Sequence, residues 1–193
     1  DDCSTGSRDN LLSVLANPDL RFIHSKVSTC GELGGLTAKA ESIYHLAAAV
    51  GVDLVVKSPI HVLETNLHET EVILEAAAPH RVPVLLASTS EVYGTARWTP
   101  MTEEHPTFPM TVYGASKLAG ESYTRAFYRT YGYPTVVVRP FNAYGPRCHH
   151  EGDSGEVIPK FLLRGMTGRP MVIFGDGTQT RDFTYVSDTA RGI

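Results

Sequence analysis

Tyr113 and Lys117 stand four residues apart in the stretch "VYGASKLAGESYTRAFYRTYG". That spacing puts both side chains on one face of a helix, which Gly132 can cap. A phenol acting as a base near neutral pH needs its pKa lowered by about 3 units, or about 4 kcal/mol. An ammonium about 4 Å away, at an effective dielectric of about 20, supplies on the order of 4 kcal/mol. The same spacing is found where a tyrosine packs and a lysine is merely solvated, so the pair needs company. About twenty residues upstream, "STSEVYG" places Ser88, Thr89, Ser90 and Glu91 directly after the apolar run "VPVLLA". Hydroxyl residues commonly end strands and cap turns. Their meaning depends on what the fold brings to the same spot.

The elements that must do this alternate along the chain. "RDNLLSVLAN" reads as a short amphipathic helix stopped by Pro18, "RFIHSKV" as a strand and "ELGGLTAKA" as a weak helix. "SIYHLA" is a strand that leads into the small-residue loop "AAVGV". Pro59 opens a long helix, "PIHVLETNLHETEVILEAA". "VPVLLAS" and "PTVVVRP" are apolar strands expected to be buried on both faces, and a loop, a helix from about Glu156 to Met166, the strand "MVIF" and "DFTYVSD" follow. Apolar strands alternating with helices predict an α/β fold with a parallel sheet. In such sheets ligands bind beyond the carboxyl ends of the strands, where "HLAAA", "STSEVYG" and "RPFNAYG" lie.

Composition narrows the function classes. The 193 residues carry a net charge of −4, with 42% hydrophobic and 20% charged residues, an ordinary globular balance. There is no basic block of the kind that marks a nucleic-acid partner. No apolar run reaches the roughly 18 residues of a membrane span. Cys3, Cys30 and Cys148 are odd in number and widely spaced, which fits a reducing cytoplasmic setting. "RCHHEGD" offers Cys148, His149, His150 and Asp153 as metal ligands, but adjacent histidines on a Gly-rich loop are ordinarily solvated, and no metal is expected.

Taken in order, "DDCSTG", "YHLAAAVG", "TNLHET", "STSEVYG", "YGASK", "RPFNAYGPR" and "GDGTQTRDFTYVSD" resemble the extended short-chain dehydrogenase/reductases. These are NAD-dependent nucleotide-sugar epimerases, 4,6-dehydratases and decarboxylases. The resemblance implies a Rossmann-like doubly wound parallel sheet lacking its first two strands. Residues 1–140 would form the incomplete NAD-binding part and 141–193 part of a small substrate-binding region. Asp1 and Asp2 would meet the adenosine ribose, and a carboxylate there favours NAD over a 2′-phosphorylated cofactor. Ala47, Ala48, Ser88 and Pro140 would line the rest of the cofactor site, steadied by Asn66. Thr89 would bond the sugar O4 hydroxyl, Tyr113 would take its proton, and Lys117 would hold the nicotinamide ribose and acidify Tyr113. Ser90, Asn142, Phe174 and Arg181 would contact the substrate, the last through its pyrophosphate.

Glu91 stands where the 4,6-dehydratases carry the C5 base; the alternative is a non-catalytic carboxylate that stabilises a helix or loop. Ser90, a poor acid, replaces their usual aspartate, so epimerisation and elimination both remain open, with decarboxylation third and a purely binding module as the competing class. Lys26 replaces an aspartate that usually meets the adenine amino group, and no GxxGxxG motif is present. The chain therefore reads as a fragment, expected to fold poorly alone. The resemblance implies a homodimer for the complete protein; helices 59–78 and 113–131 could pair in it, but their apolar faces equally suit the sheet.

Overall fold

The computed structural model describes residues 1–148, 156–173 and 175–193. Helices α1 (Leu33–Thr37), α2 (Val52–Lys57), α3 (Pro59–Ala77), α4 (Val112–Tyr131), α5 (Val157–Met166) and α6 (Val186–Gly192) alternate with strands β1 (Ile43–His45), β2 (Val84–Ala87), β3 (Thr135–Val138), β4 (Asn142–Tyr144) and β5 (Phe183–Tyr185). Strands β1, β2 and β3 form one parallel sheet in that order, and β4 pairs with β5, also in parallel.

Helices α3 and α4 owe their form to their ends and their buried stripes. Pro59 opens α3, where its missing N–H costs nothing. Val62, Asn66, Glu69, Thr70, Ile73, Leu74 and Ala77 then recur at helical spacing on the buried face. Thr111 caps α4 by accepting from the Gly114 N–H at 2.9 Å. Gly132 closes the helix in the left-handed region at φ 65°, where a side chain would be strained. The two helices cover one face of the sheet, and Ile73, Leu74, Ala77, Val82, Val84, Phe127 and Tyr133 form the core between them.

Among the described residues, no helix covers the opposite face. Tyr44, Leu85 and Val136 share a row across the sheet, and Tyr44 is 57% and Val136 54% exposed. The expectation of strands buried on both faces is therefore corrected: β2 alternates between buried and half-buried residues. The described residues lay helices on one side only.

Other expectations fail for identifiable reasons. "RFIHSKV" forms no strand. It makes a single parallel rung with residue 1, in which the Asp1 amino group donates to Ile23 O (3.4 Å) and Ser25 N–H to Asp1 O (3.1 Å). A strand needs a ladder, and one rung does not make it. The helix expected in "RDNLLSVLAN" shrinks to a 3₁₀ turn, Arg8–Leu11, with no buried residue. Its apolar side chains find little cover (Leu12 is 67% exposed), so nothing offsets helix nucleation. Residues 171–173 of "MVIF" lie outside any strand, and Phe174 lies outside the described residues. The small-residue loop after β1 runs straight into α2, and the loop "RPFNAYG" contains β4. Among the described residues no helix is long and apolar enough to cross a membrane.

Candidate active site

The parallel ladder continues past the end of β2. Ser88 N–H donates to Val138 O at 2.7 Å and Ser90 N–H to Pro140 O at 3.1 Å. This turns the Ser88 side chain inward, where its hydroxyl donates to Glu121 Oε1 at 2.5 Å. Ser88 is thus committed to the protein interior. Thr89 begins the 3₁₀ turn Ser90–Tyr93, its Oγ1 accepting from the Glu91 N–H at 3.2 Å. No described residue takes the Thr89 O–H, which stays available to a ligand.

Glu91 is joined to the catalytic-helix candidate through the cap of that helix, in keeping with the reading of it as a helix-stabilising carboxylate. Thr111, the cap of α4, donates its hydroxyl to Glu91 Oε2 at 2.6 Å. The backbones also approach closely, since a Cβ on Gly114 would stand 2.9 Å from the Glu91 carbonyl oxygen. Only glycine at the second position of "YGASK" lets α4 begin against the end of β2.

Lys117 is buried on the inward face of α4 and donates from Nζ to Ala87 O, the last carbonyl of β2, at 2.8 Å. Its Nζ lies 5.9 Å from the centre of the Tyr113 ring. Burial pushes the Lys117 ammonium down to about 8. Burial, with the Glu91 carboxylate adding to it, pushes the Tyr113 phenol up to about 12. The expectation that Lys117 draws Tyr113 down is therefore not met in this geometry. Taking the phenolate out of water sets the direction, and the Glu91 carboxylate adds to it. Nearby His45 is pushed to about 4, by its own burial and then by the Lys117 charge, so it is neutral at physiological pH.

One turn beyond Lys117, Glu121 holds the scaffold. Its fully buried carboxylate accepts from Ser88, from Arg139 Nε at 2.8 Å and Nη2 at 2.6 Å, and from Arg125 Nη2 at 2.7 Å. These hydrogen bonds keep its pKa below the ordinary carboxylate value although burial works against them. The network ties α4 to the ends of β2 and β3. The spacing of Glu121, four residues after Lys117, was the available signal.

The remaining expected residues fall into two groups. Near β1, Asn66 grips residue 49 and leaves the neighbouring Ala47 and Ala48 less buried. At the start of the chain, Asp1 Oδ1 accepts from the Cys3 N–H at 2.6 Å. The Asp2 carboxyl is held below its usual range, chiefly by the Ser4 hydroxyl and N–H. A cavity of about 510 Å³ opens beside Asp1, with Gly6, Phe22 and Leu36 in its wall. A small-residue loop, a carboxylate beside a cavity and a buried ammonium at a strand end are a donor set that fits a dinucleotide. Asn142 and Arg181 sit apart from this group, at the β4–β5 pair. Asn142 Nδ2 donates to Asp182 O at 2.9 Å and Arg181 Nη1 to Thr180 O at 2.7 Å. His149, His150 and Asp153 lie outside the described residues, as does Phe174.

The NAD dependent epimerase/dehydratase family model matches residues 4–193. A dTDP-glucose 4,6-dehydratase of Actinoplanes sp. is 35% identical over 189 residues, covering 97% of this chain and 58% of the relative. The structure of a UDP-N-acetylglucosamine 4-epimerase from Methanobrevibacter ruminantium, in complex with UDP-N-acetylmuramic acid, superimposes with a TM-score of 0.90 at 31% identity, covering 99% of this chain and 61% of that one. That of a UDP-glucuronic acid 4-epimerase from Bacillus cereus, with UDP-glucuronic acid and NAD, gives 0.86 at 32% identity, covering 95% and 57%. The chain thus spans about three-fifths of the length of these relatives. The family model spans nearly the whole chain, and the chain belongs to the NAD-dependent epimerase/dehydratase family.

Proposed function

We propose that the protein oxidises a nucleotide sugar at C4 to a 4-keto intermediate. The intermediate is then either returned as the 4-epimer or carried through 4,6-dehydration. The observation that carries this reading is the convergence of Thr89, Tyr113 and Lys117 on the carboxyl end of β2. NAD, when bound, supplies the hydride acceptor. Asp1, Asp2 and the Ala47–Ala48 segment would hold it, with Lys117 on the ribose and Pro140 at the floor of the site.

The protein's own groups divide the proton chemistry. Thr89, with its O–H uncommitted, orients the sugar hydroxyl. Tyr113 is protonated at rest, and the phenolate it needs is a form that only a nearby cation favours. Lys117 is that cation below about pH 8. Glu91 sits beside Tyr113 and supplies the base for removing the C5 proton if the intermediate goes on to elimination. Ser90, Asn142, Phe174 and Arg181 are proposed to hold the substrate, the guanidinium serving its pyrophosphate. Residues 141–193 form part of the substrate-binding region in this reading. The intact protein acts in the cytoplasm as a homodimer, with the outer faces of α3 and α4 paired; Ile60 and Leu63 are exposed there.

The test is to incubate the intact protein with NAD and a panel of UDP- and dTDP-sugars, following the sugar by NMR. A new C4 epimer or a 4-keto-6-deoxy sugar is expected, and Tyr113→Phe should abolish it. Tight NAD binding with no product from any sugar would reject catalysis in favour of a binding module. Loss of carbon dioxide from a uronic acid substrate would redirect the assignment to decarboxylation.

A further inference from the structure

We propose that Ser116 is a positioning residue that locks the cofactor-side loop after β1 to the catalytic helix, acting through Asn66. This rests on the NAD-dependent reading above and assigns a role to a residue outside the Tyr–Lys pair.

The hydrogen bonds determine the arrangement. Asn66 Oδ1 accepts from the Ala49 N–H at 2.7 Å, and its Nδ2 donates to Ala49 O at 3.2 Å. The amide therefore grips both polar groups of one residue, as a neighbouring strand would, in a loop that has no strand neighbour. The second Nδ2 hydrogen goes to Ser116 Oγ at 3.1 Å, and the Ser116 hydroxyl itself donates to Tyr113 O at 2.8 Å.

That last bond decides the direction of the rest. With its own hydrogen spent on Tyr113, Ser116 can only accept, so it must face the NH₂ side of Asn66. A flipped amide would set two acceptors against each other at Ser116 and two donors against each other at Ala49. Ser116 is 1% and Asn66 5% exposed, so water cannot substitute. A continuous path runs from the backbone of Tyr113 through Ser116 and Asn66 to the peptide of Ala49. It fixes the distance between the helix that carries the proposed base and the loop that flanks the proposed cofactor.

Two measurements on the intact protein test this. Wild type, Ser116→Ala, Asn66→Ala and the double variant are compared for NAD dissociation constant. Amide hydrogen exchange at Ala49 is followed in wild type and Ser116→Ala. Ser116→Ala is expected to weaken NAD binding about 5- to 10-fold, the worth of one buried hydrogen bond, and Asn66→Ala, which also loses both bonds to Ala49, by more. The double variant should bind no more weakly than Asn66→Ala alone, because Ser116 acts through that amide. Exchange at Ala49 should quicken in Ser116→Ala.

Unchanged exchange overturns the proposal, and so do faster exchange without weaker NAD binding, or losses that multiply in the double variant. If Asn66→Ala does not fold, the exchange and NAD measurements on Ser116→Ala still decide. If wild type itself fails to bind NAD, the functional reading falls. The exchange result then decides the Ser116–Asn66 link alone.

Discussion

Replacing Lys117 by methionine should stabilise the protein at neutral pH while abolishing the proposed oxidation at C4. Lys117 is 5% exposed, and burial lowers its pKa from 10.5 to about 8. At about 1.4 kcal/mol per pKa unit, keeping the ammonium charged inside the fold costs about 3 kcal/mol at pH 7. The unfolded chain holds this proton more tightly, so across the window from about 8 to 10.5 the wild type gains stability as pH rises. By pH 10 the cost has shrunk to about 1 kcal/mol. Methionine keeps an unbranched apolar stem of similar length and loses the hydrogen bond to Ala87 O, about 1 kcal/mol. The variant should therefore be more stable by about 2 kcal/mol at pH 7 and nearly equal to wild type at pH 10. Urea unfolding of the intact protein at the two pH values measures this directly. An advantage of equal size at both, or a variant less stable than wild type at pH 7, would refute the claim that a charged amine is held there at a cost.

Glu121→Gln leaves the half-buried Arg139 without its bidentate carboxylate partner and should destabilise the protein by about 3 kcal/mol in urea unfolding. Because the folded pKa of Glu121 is depressed, its contribution is complete above the ordinary carboxylate value. It is lost as pH falls through the folded value, so the variant should show a shallower acid unfolding profile. Glu91→Gln should spare oxidation at C4 and lower any 4,6-dehydration by about 100-fold or more, read by NMR of the products. An unchanged product ratio and rate would reduce Glu91 to a partner of the helix cap. Thr111→Val removes that cap and should cost about 1 kcal/mol in stability.

The long elements were legible because their signals are local. Pro59 opens α3, Gly132 closes α4, and Tyr113 and Lys117 share a helix face whatever the rest of the chain does. What failed depends on distant partners. "RFIHSKV" has strand composition, yet it makes only one rung, with Asp1. The apolar character of β2 and β3 suggested cover on both faces, but only one carries helices in the described residues. The sign of the Tyr113 shift could not be read from spacing either. A cation four residues away is visible in sequence, whereas the surrounding burial and the approach of Glu91 across 22 residues are properties of the fold. Ser88 and Glu121 looked unrelated for the same reason, since their contact closes over 33 residues.

Hydride transfer from C4 is followed most directly in a single turnover of the intact protein with NAD and a nucleotide sugar deuterated at C4, watched through the absorbance of reduced nicotinamide. A transient rise slowed by deuterium and absent in Tyr113→Phe is expected. Product formed without that transient and without any isotope effect, or a Tyr113→Phe variant as fast as wild type, would contradict it.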